Sequence, residues 1–90
     1  MINEYRFFSD IGHGWLKVPY TELESLGIEN TISVYSYRDS GFAYLEEDCD
    51  AYRFIEAKKK VNQAPKIIER NIDGYSIIRT YPAYSTIEKR

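Results

Sequence analysis

Two side chains in this sequence offer covalent or acid–base chemistry: Cys49, the one thiol, and His13, the one imidazole. Cys49 stands in Glu46-Glu47-Asp48-Cys49-Asp50, five residues with four carboxylates. At the first turn of a helix the backbone dipole would favour a thiolate. The flanking acids oppose it, because like charge disfavours the ionised form. The plainer role for such a thiol is that of a small buried hydrophobe. His13 lies between Gly12 and Gly14, where it could pair with a carboxylate or face water at a turn. A Cys49–His13 dyad would also need a third group to orient the base, and none stands out. A small enzyme built on these two residues is therefore a rival reading, and the expectation is that the protein is not an enzyme.

The acidic run offers the oxygen ligands that hard cations prefer, but its spacing matches no calcium loop. One His with one Cys makes no zinc site of standard type. Nothing resembles a Gly-rich loop that cradles phosphate, so neither metal nor cofactor is expected. Two surface roles remain. Tyr44, Glu46, Glu47, Asp48 and Asp50 would form an acidic, tyrosine-rich surface that binds a protein, imitating nucleic-acid phosphates in a basic groove. Lys58-Lys59-Lys60, with Arg53 and the later Lys66, would form a basic helix face that contacts nucleic acid. Each has a structural alternative. The acids cap a helix, Asp48 as N-cap and Asp50 in the first turn, and the lysines form a solvated helix face.

The elements that must position these residues follow from local pattern. Gly41 to Asp50 reads as a strand that runs into a helix start, with Phe42, Tyr44 and Glu46 alternating against Ala43, Leu45 and Glu47. The helix, roughly Cys49 to Val61, places Ala51, Phe54, Ile55 and Val61 on one face. Upstream, Tyr5 to Ser9 and Trp15 to Val18 form a hairpin around Gly12-His13-Gly14, where the glycines permit unusual backbone angles. Pro19 ends it. Thr21 and Glu24 match a capping box, and Gly27 suits the left-handed position after a short helix. Leu23, Leu26 and Ile28 pin that helix to the sheet. Ile32 to Arg38 alternates as a further strand, and Asp39-Ser40-Gly41 turns it back. Asn62-Gln63-Ala64-Pro65 breaks the long helix. Lys66 to Ile72, Asp73-Gly74 and Tyr75 to Tyr81 read as another hairpin, ended by Pro82, although Ile67-Ile68 and Ile77-Ile78 are doublets. The tail from Ser85 is expected to fray. The expected fold is α+β: antiparallel hairpins forming a sheet covered by one longer and one short helix.

Ninety residues at 43% hydrophobic and 16% aromatic fit a single domain. One cysteine excludes an internal disulfide and suits a reducing compartment. No apolar run approaches the ~20 residues needed to cross a bilayer, and no signal peptide opens the sequence, so a soluble, cytoplasmic protein without membrane contact is expected. The net charge of −2 is divided unevenly: residues 1–50 hold 3 basic and 10 acidic groups (−7), residues 51–90 hold 9 and 4 (+5). Folding is expected to interleave the halves.

Gly12-His13-Gly14-Trp15-Leu16-Lys17-Val18-Pro19 with Leu26-Gly27-Ile28, followed by Tyr44-Leu45-Glu46-Glu47-Asp48-Cys49-Asp50, resembles a family of small uncharacterised proteins from proteobacterial phages, prophages and plasmids. Ile78-Arg79-Thr80-Tyr81 matches its C-terminal Ile-Arg-x-Tyr segment, and the likeness runs to about Tyr84. Where the family often has Asp-Pro before the glycines, this chain has Asp10-Ile11. The resemblance implies a mobile-element setting and no mechanism. A second likeness, to swapped-hairpin regulators that bind DNA, fails on charge: Lys17 stands there among Glu22, Glu24 and Glu29. The function expected is thus that of an inhibitor-like accessory protein that binds a host or defence protein.

Overall fold

Period-two alternation builds a five-stranded sheet from β1 (Glu4–Ser9), β2 (Gly14–Pro19), β3 (Tyr37–Asp39), β4 (Phe42–Glu46) and β5 (Lys66–Asn71). The structure, a computed structural model, describes residues 3–84. The strand order is β3-β4-β2-β1-β5, antiparallel throughout except that β5 runs parallel to β1. Two helices, α1 (Tyr20–Leu26) and α2 (Ala51–Lys60), cover one face. Leu16, Val18, Ala43 and Leu45 meet Leu23 of α1 and Ala51 and Phe54 of α2 there. On the opposite face Trp15 and Tyr44 lie beneath Ile78, with Phe8, Tyr37, Phe42 and Tyr81 around them. This is the α+β architecture that the alternating and helical periods imply.

Local signals place several joints as expected. Gly27 takes φ 72°, and the N–H groups of Gly27 and Ile28 donate to Glu24 and Leu23, closing α1. Ser40 (φ 53°) and Gly41 (φ 86°) make the two-residue turn between paired Asp39 and Phe42. The glycines around His13 act differently from expectation, since neither has a positive φ. A Cβ on Gly14 would fall within the Phe7 ring and 2.8 Å from Glu47 Oε1, so this glycine serves close approach.

Four expected features are absent, each for a physical reason. α1 begins at Tyr20, one residue before the expected capping box, so Thr21 lies within the helix and caps nothing, and Pro19 stands at the N-cap. Asp48 is no cap either: the N-cap of α2 is Asp50, whose side chain turns away from its own helix. Residues 32–36 form a loop in place of a strand, because Ser33 and Ser36 bind the buried Asp50 carboxylate. The second hairpin does not form. β5 pairs with β1, and Ile77–Thr80 coils into a 3-10 helix, with Ser76 just before it and Arg79 within it binding Asp10. The doublet then separates, with Ile78 buried and Ile77 exposed. Val61 also leaves the apolar face and is half exposed. The expected fraying from Ser85 lies outside the described residues.

Candidate functional site

Glu46 ends β4 and organises the turn that follows it. Its Oε1 accepts from the N–H groups of Asp48 (2.9 Å) and Cys49 (3.0 Å). Its Oε2 lies 3.5 Å from His13 Nδ1. Its own backbone N–H donates to Ser36 Oγ. The carboxylate is therefore nearly enclosed and held from three directions. Glu47 N–H donates to the Gly14 carbonyl, which ties this turn to the start of β2.

Beside it, Asp50 is 1% exposed and accepts from Ser33 N–H (3.1 Å), Ser33 Oγ (2.6 Å) and Ser36 Oγ (2.5 Å). These bonds shape residues 32–36 and push Val34 and Tyr35 outward, leaving them 55% and 65% exposed. Behind the His13 turn, Asp10 holds the C-terminal segment. It receives the Arg79 guanidinium through Nε (2.7 Å) and Nη2 (2.9 Å), and the N–H groups of Gly12, His13 and Ser76. Arg79 foremost, then the backbone donors, holds the Asp10 carboxyl far below the usual carboxylate range against the opposing effect of desolvation. Ile11 N–H donates to Gly74 O, a bond that a proline at this position could not make.

These pieces line an open cavity of about 290 Å³. Trp15, Tyr37, Val34 and Tyr35 supply apolar walls, and His13, Glu46, Asp48, Cys49 and Arg79 supply its polar groups. His13 and Cys49 thus line the same cavity, with the Glu46 carboxylate touching both sides. The Cys49 thiol is pushed up, by desolvation first, then by its hydrogen bond to Glu46 and the charges of Glu46, Asp50 and Asp48. A nucleophilic cysteine requires the reverse. Among the described residues no three His, Cys, Asp or Glu side chains are grouped to hold a metal ion, and no helix is long and apolar enough to cross a membrane.

The expected acidic surface is mostly internal. Glu46, Asp50 and Tyr44 are buried, and only Glu47 and Asp48 face water. Burial, with the charges of Tyr81 and Asp39 adding to it, raises the Tyr44 hydroxyl to about 12. The basic helix face is also divided. Arg53, Lys59 and Lys60 are exposed, but Lys58 is buried, its Nζ 3.1 Å from Gln63 Oε1 and 3.8 Å from Glu22 Oε1, over the Tyr5 ring. Sequence reasoning missed Val34, Tyr35, Tyr37 and Arg79 as companions of His13 and Cys49. Reading 32–38 as a strand hid the first three. Asp10 is the residue that seats Arg79, 69 positions away, and no local pattern signals it.

Comparison of the chain with protein-family models, curated proteins and solved structures gives no match to any of them.

Proposed function

We propose that this protein is a binding module that docks another protein at the His13–Glu46 cavity, seating a basic side chain of that partner. The observation that carries this reading is the pairing of exposed Val34 and Tyr35 with a cavity that holds two carboxylates. Arg79 does not neutralise those carboxylates, because Asp10 occupies its guanidinium fork. Exposed Asp48 therefore remains as the accessible counter-charge beside Trp15, Tyr35 and Tyr37, backed by the buried Glu46 carboxylate that His13 shares. An aromatic wall next to a carboxylate suits a lysine or arginine, through cation–aromatic attraction and ion pairing together. Exposed apolar residues rimmed by polar ones are a common feature of protein-binding sites.

In the phage or mobile-element setting that the sequence resemblance implies, the partner is a host or defence protein of the bacterial cytoplasm, and binding obstructs it. The convergence of His13, Glu46 and Cys49 favours a hydrolytic or transfer reaction as the second reading. The raised thiol speaks against it.

Titration of short peptides that differ only in carrying Lys, Arg or Glu, followed by NMR, tests the binding reading. The Trp15 indole and His13 ring resonances should move with the basic peptides and stay with the acidic one. Tyr35→Ala combined with Asp48→Lys should remove the response while the fold persists. Equal responses to acidic and basic peptides, or none to either, would sink the proposal.

A further inference from the structure

The sheet face that carries Trp15 and Tyr44 continues toward β1 and β5 as a different surface. Strand register sets Arg6 of β1 directly opposite Lys17 of β2. On the other side of β1, Glu4 aligns with Lys66, Arg6 with Ile68, and Phe8 with Arg70 of β5. Because alternate side chains share a face, Arg6, Lys17, Lys66 and Arg70 gather on one side with Phe8 and Phe42. Arg6, Lys66 and Arg70 are exposed and Lys17 is half-buried.

Like charges directly opposite each other in an antiparallel pair are destabilising. No direct ion pair relieves this one: among the described residues neither Arg6 nor Arg70 has an acid within ion-pair distance. Lys17 Nζ rests 4.2 Å from the centre of the Phe42 ring. Lys66 alone has an acid near it, Glu4 at 3.6 Å, and Asp39 stands at the far end of the face, opposite Phe42. A chain of net charge −2 therefore gathers on one face three cations that have no ion-pair partner among the described residues, around a shallow hollow that Arg6, Lys17 and Phe42 line together with Glu4 and Glu22.

We propose that this face binds single-stranded nucleic acid, with phosphates on Arg6, Lys17 and Arg70 and one base stacked on Phe42. Cationic tracks flanked by aromatic rings are the general means of holding a single strand without sequence preference. Lys17 leaves the Phe42 ring for a phosphate, which frees the ring for the base. A duplex fits poorly. The major groove, ~12 Å wide, admits a helix or a two-stranded ribbon, whereas β1 is an inner strand flanked on both sides. The face is distinct from the His13–Glu46 cavity, and the proposal does not rest on the docking reading. It also moves any nucleic-acid contact from the helix, where Lys58 is buried, to the sheet.

Fluorescence anisotropy with a labelled oligothymidylate of about 15 nucleotides, at the upper end of the site sizes such surfaces occupy, tests it. Binding at low salt should weaken with a log–log salt slope of about −2, from roughly 0.7 per phosphate over three cations. Arg6→Gln with Arg70→Gln should weaken binding about tenfold or more and flatten the slope to about −0.7. Both side chains are exposed, so the fold should survive, as circular dichroism would verify. Lys59→Gln with Lys60→Gln should leave the affinity within about twofold, because those lysines lie on the far side of the sheet. Phe42→Leu should weaken binding at unchanged slope. Absence of binding at low salt, equal affinity of the Arg6/Arg70 variant, loss in the Lys59/Lys60 variant, or a duplex held as tightly as the single strand would overturn the proposal.

Discussion

Asp48 and Asp50 are neighbours but one from each other in the chain and opposite in physical role. Asp50 is buried and accepts four hydrogen-bond contacts from Ser33 and Ser36. Asp48 is exposed and, among the described residues, bonds through its backbone. Removing a buried charged acceptor leaves its donors unsatisfied and typically costs more than the bond contributed. Asp50→Ala should therefore destabilise by about 3 kcal/mol, whereas Asp48→Ala should stay within about 0.5 kcal/mol. Urea unfolding of the two variants checks this, and similar losses from both would contradict the assignment. The type and spacing of acids 46–50 mark a helix start, and one forms there. Which acid does what was not legible. The donors that claim Asp50 lie 17 and 14 positions upstream, and a residue's role at a helix start depends on such partners as much as on position.

At the level of elements, what the sequence discloses is what near neighbours decide. The alternation in β4, the helical period of α2 and the left-handed Gly27 depend on residues within one or two turns, and all are present. Segments governed by a distant carboxylate misled the local pattern. Residues 32–36 alternate like a strand and instead wrap Asp50, while 75–81 follow a favoured Asp-Gly turn yet bind Asp10 from 66 positions away. The cationic sheet face was hidden for a related reason: Arg6 and Arg70 share a face only once β1 and β5 pair. The β3–β4 turn provides an engineering test. Both of its residues have positive φ, a conformation that Asn tolerates better than Ser and that Asn-Gly favours most. Ser40→Asn should therefore stabilise by on the order of 0.5 kcal/mol, seen as a rise in melting temperature of roughly 3 °C. A lower melting temperature would refute the turn assignment.

For the molecule as a whole, one ion pair joins the beginning of the described chain to its end. Asp10 clamps Arg79 and Ser76, and so fixes the segment whose Ile78 and Tyr81 cover Trp15. Its folded-state carboxyl titrates well below the unfolded one. The contribution is therefore complete above the unfolded value of about 4 and is lost as pH falls from there toward the folded value. The gap in urea midpoint between wild type and Asp10→Asn should be widest near neutrality and narrow below about pH 4. A gap that stays constant to pH 2, followed through Trp15 fluorescence, would mean that charge is not what holds the clamp. The parallel pairing of β1 with β5 has a consequence in time. Glu4 aligns with Lys66, so β1 cannot complete its pairing until the ribosome has added some sixty further residues, roughly 3–12 s at ordinary rates of synthesis. Throughout that interval one edge of β1 is an open template for any extended chain nearby. The exposed charges Glu4 and Arg6, retained on that strand, then act as a guard for a nascent protein, discouraging mispairing before the last strand arrives.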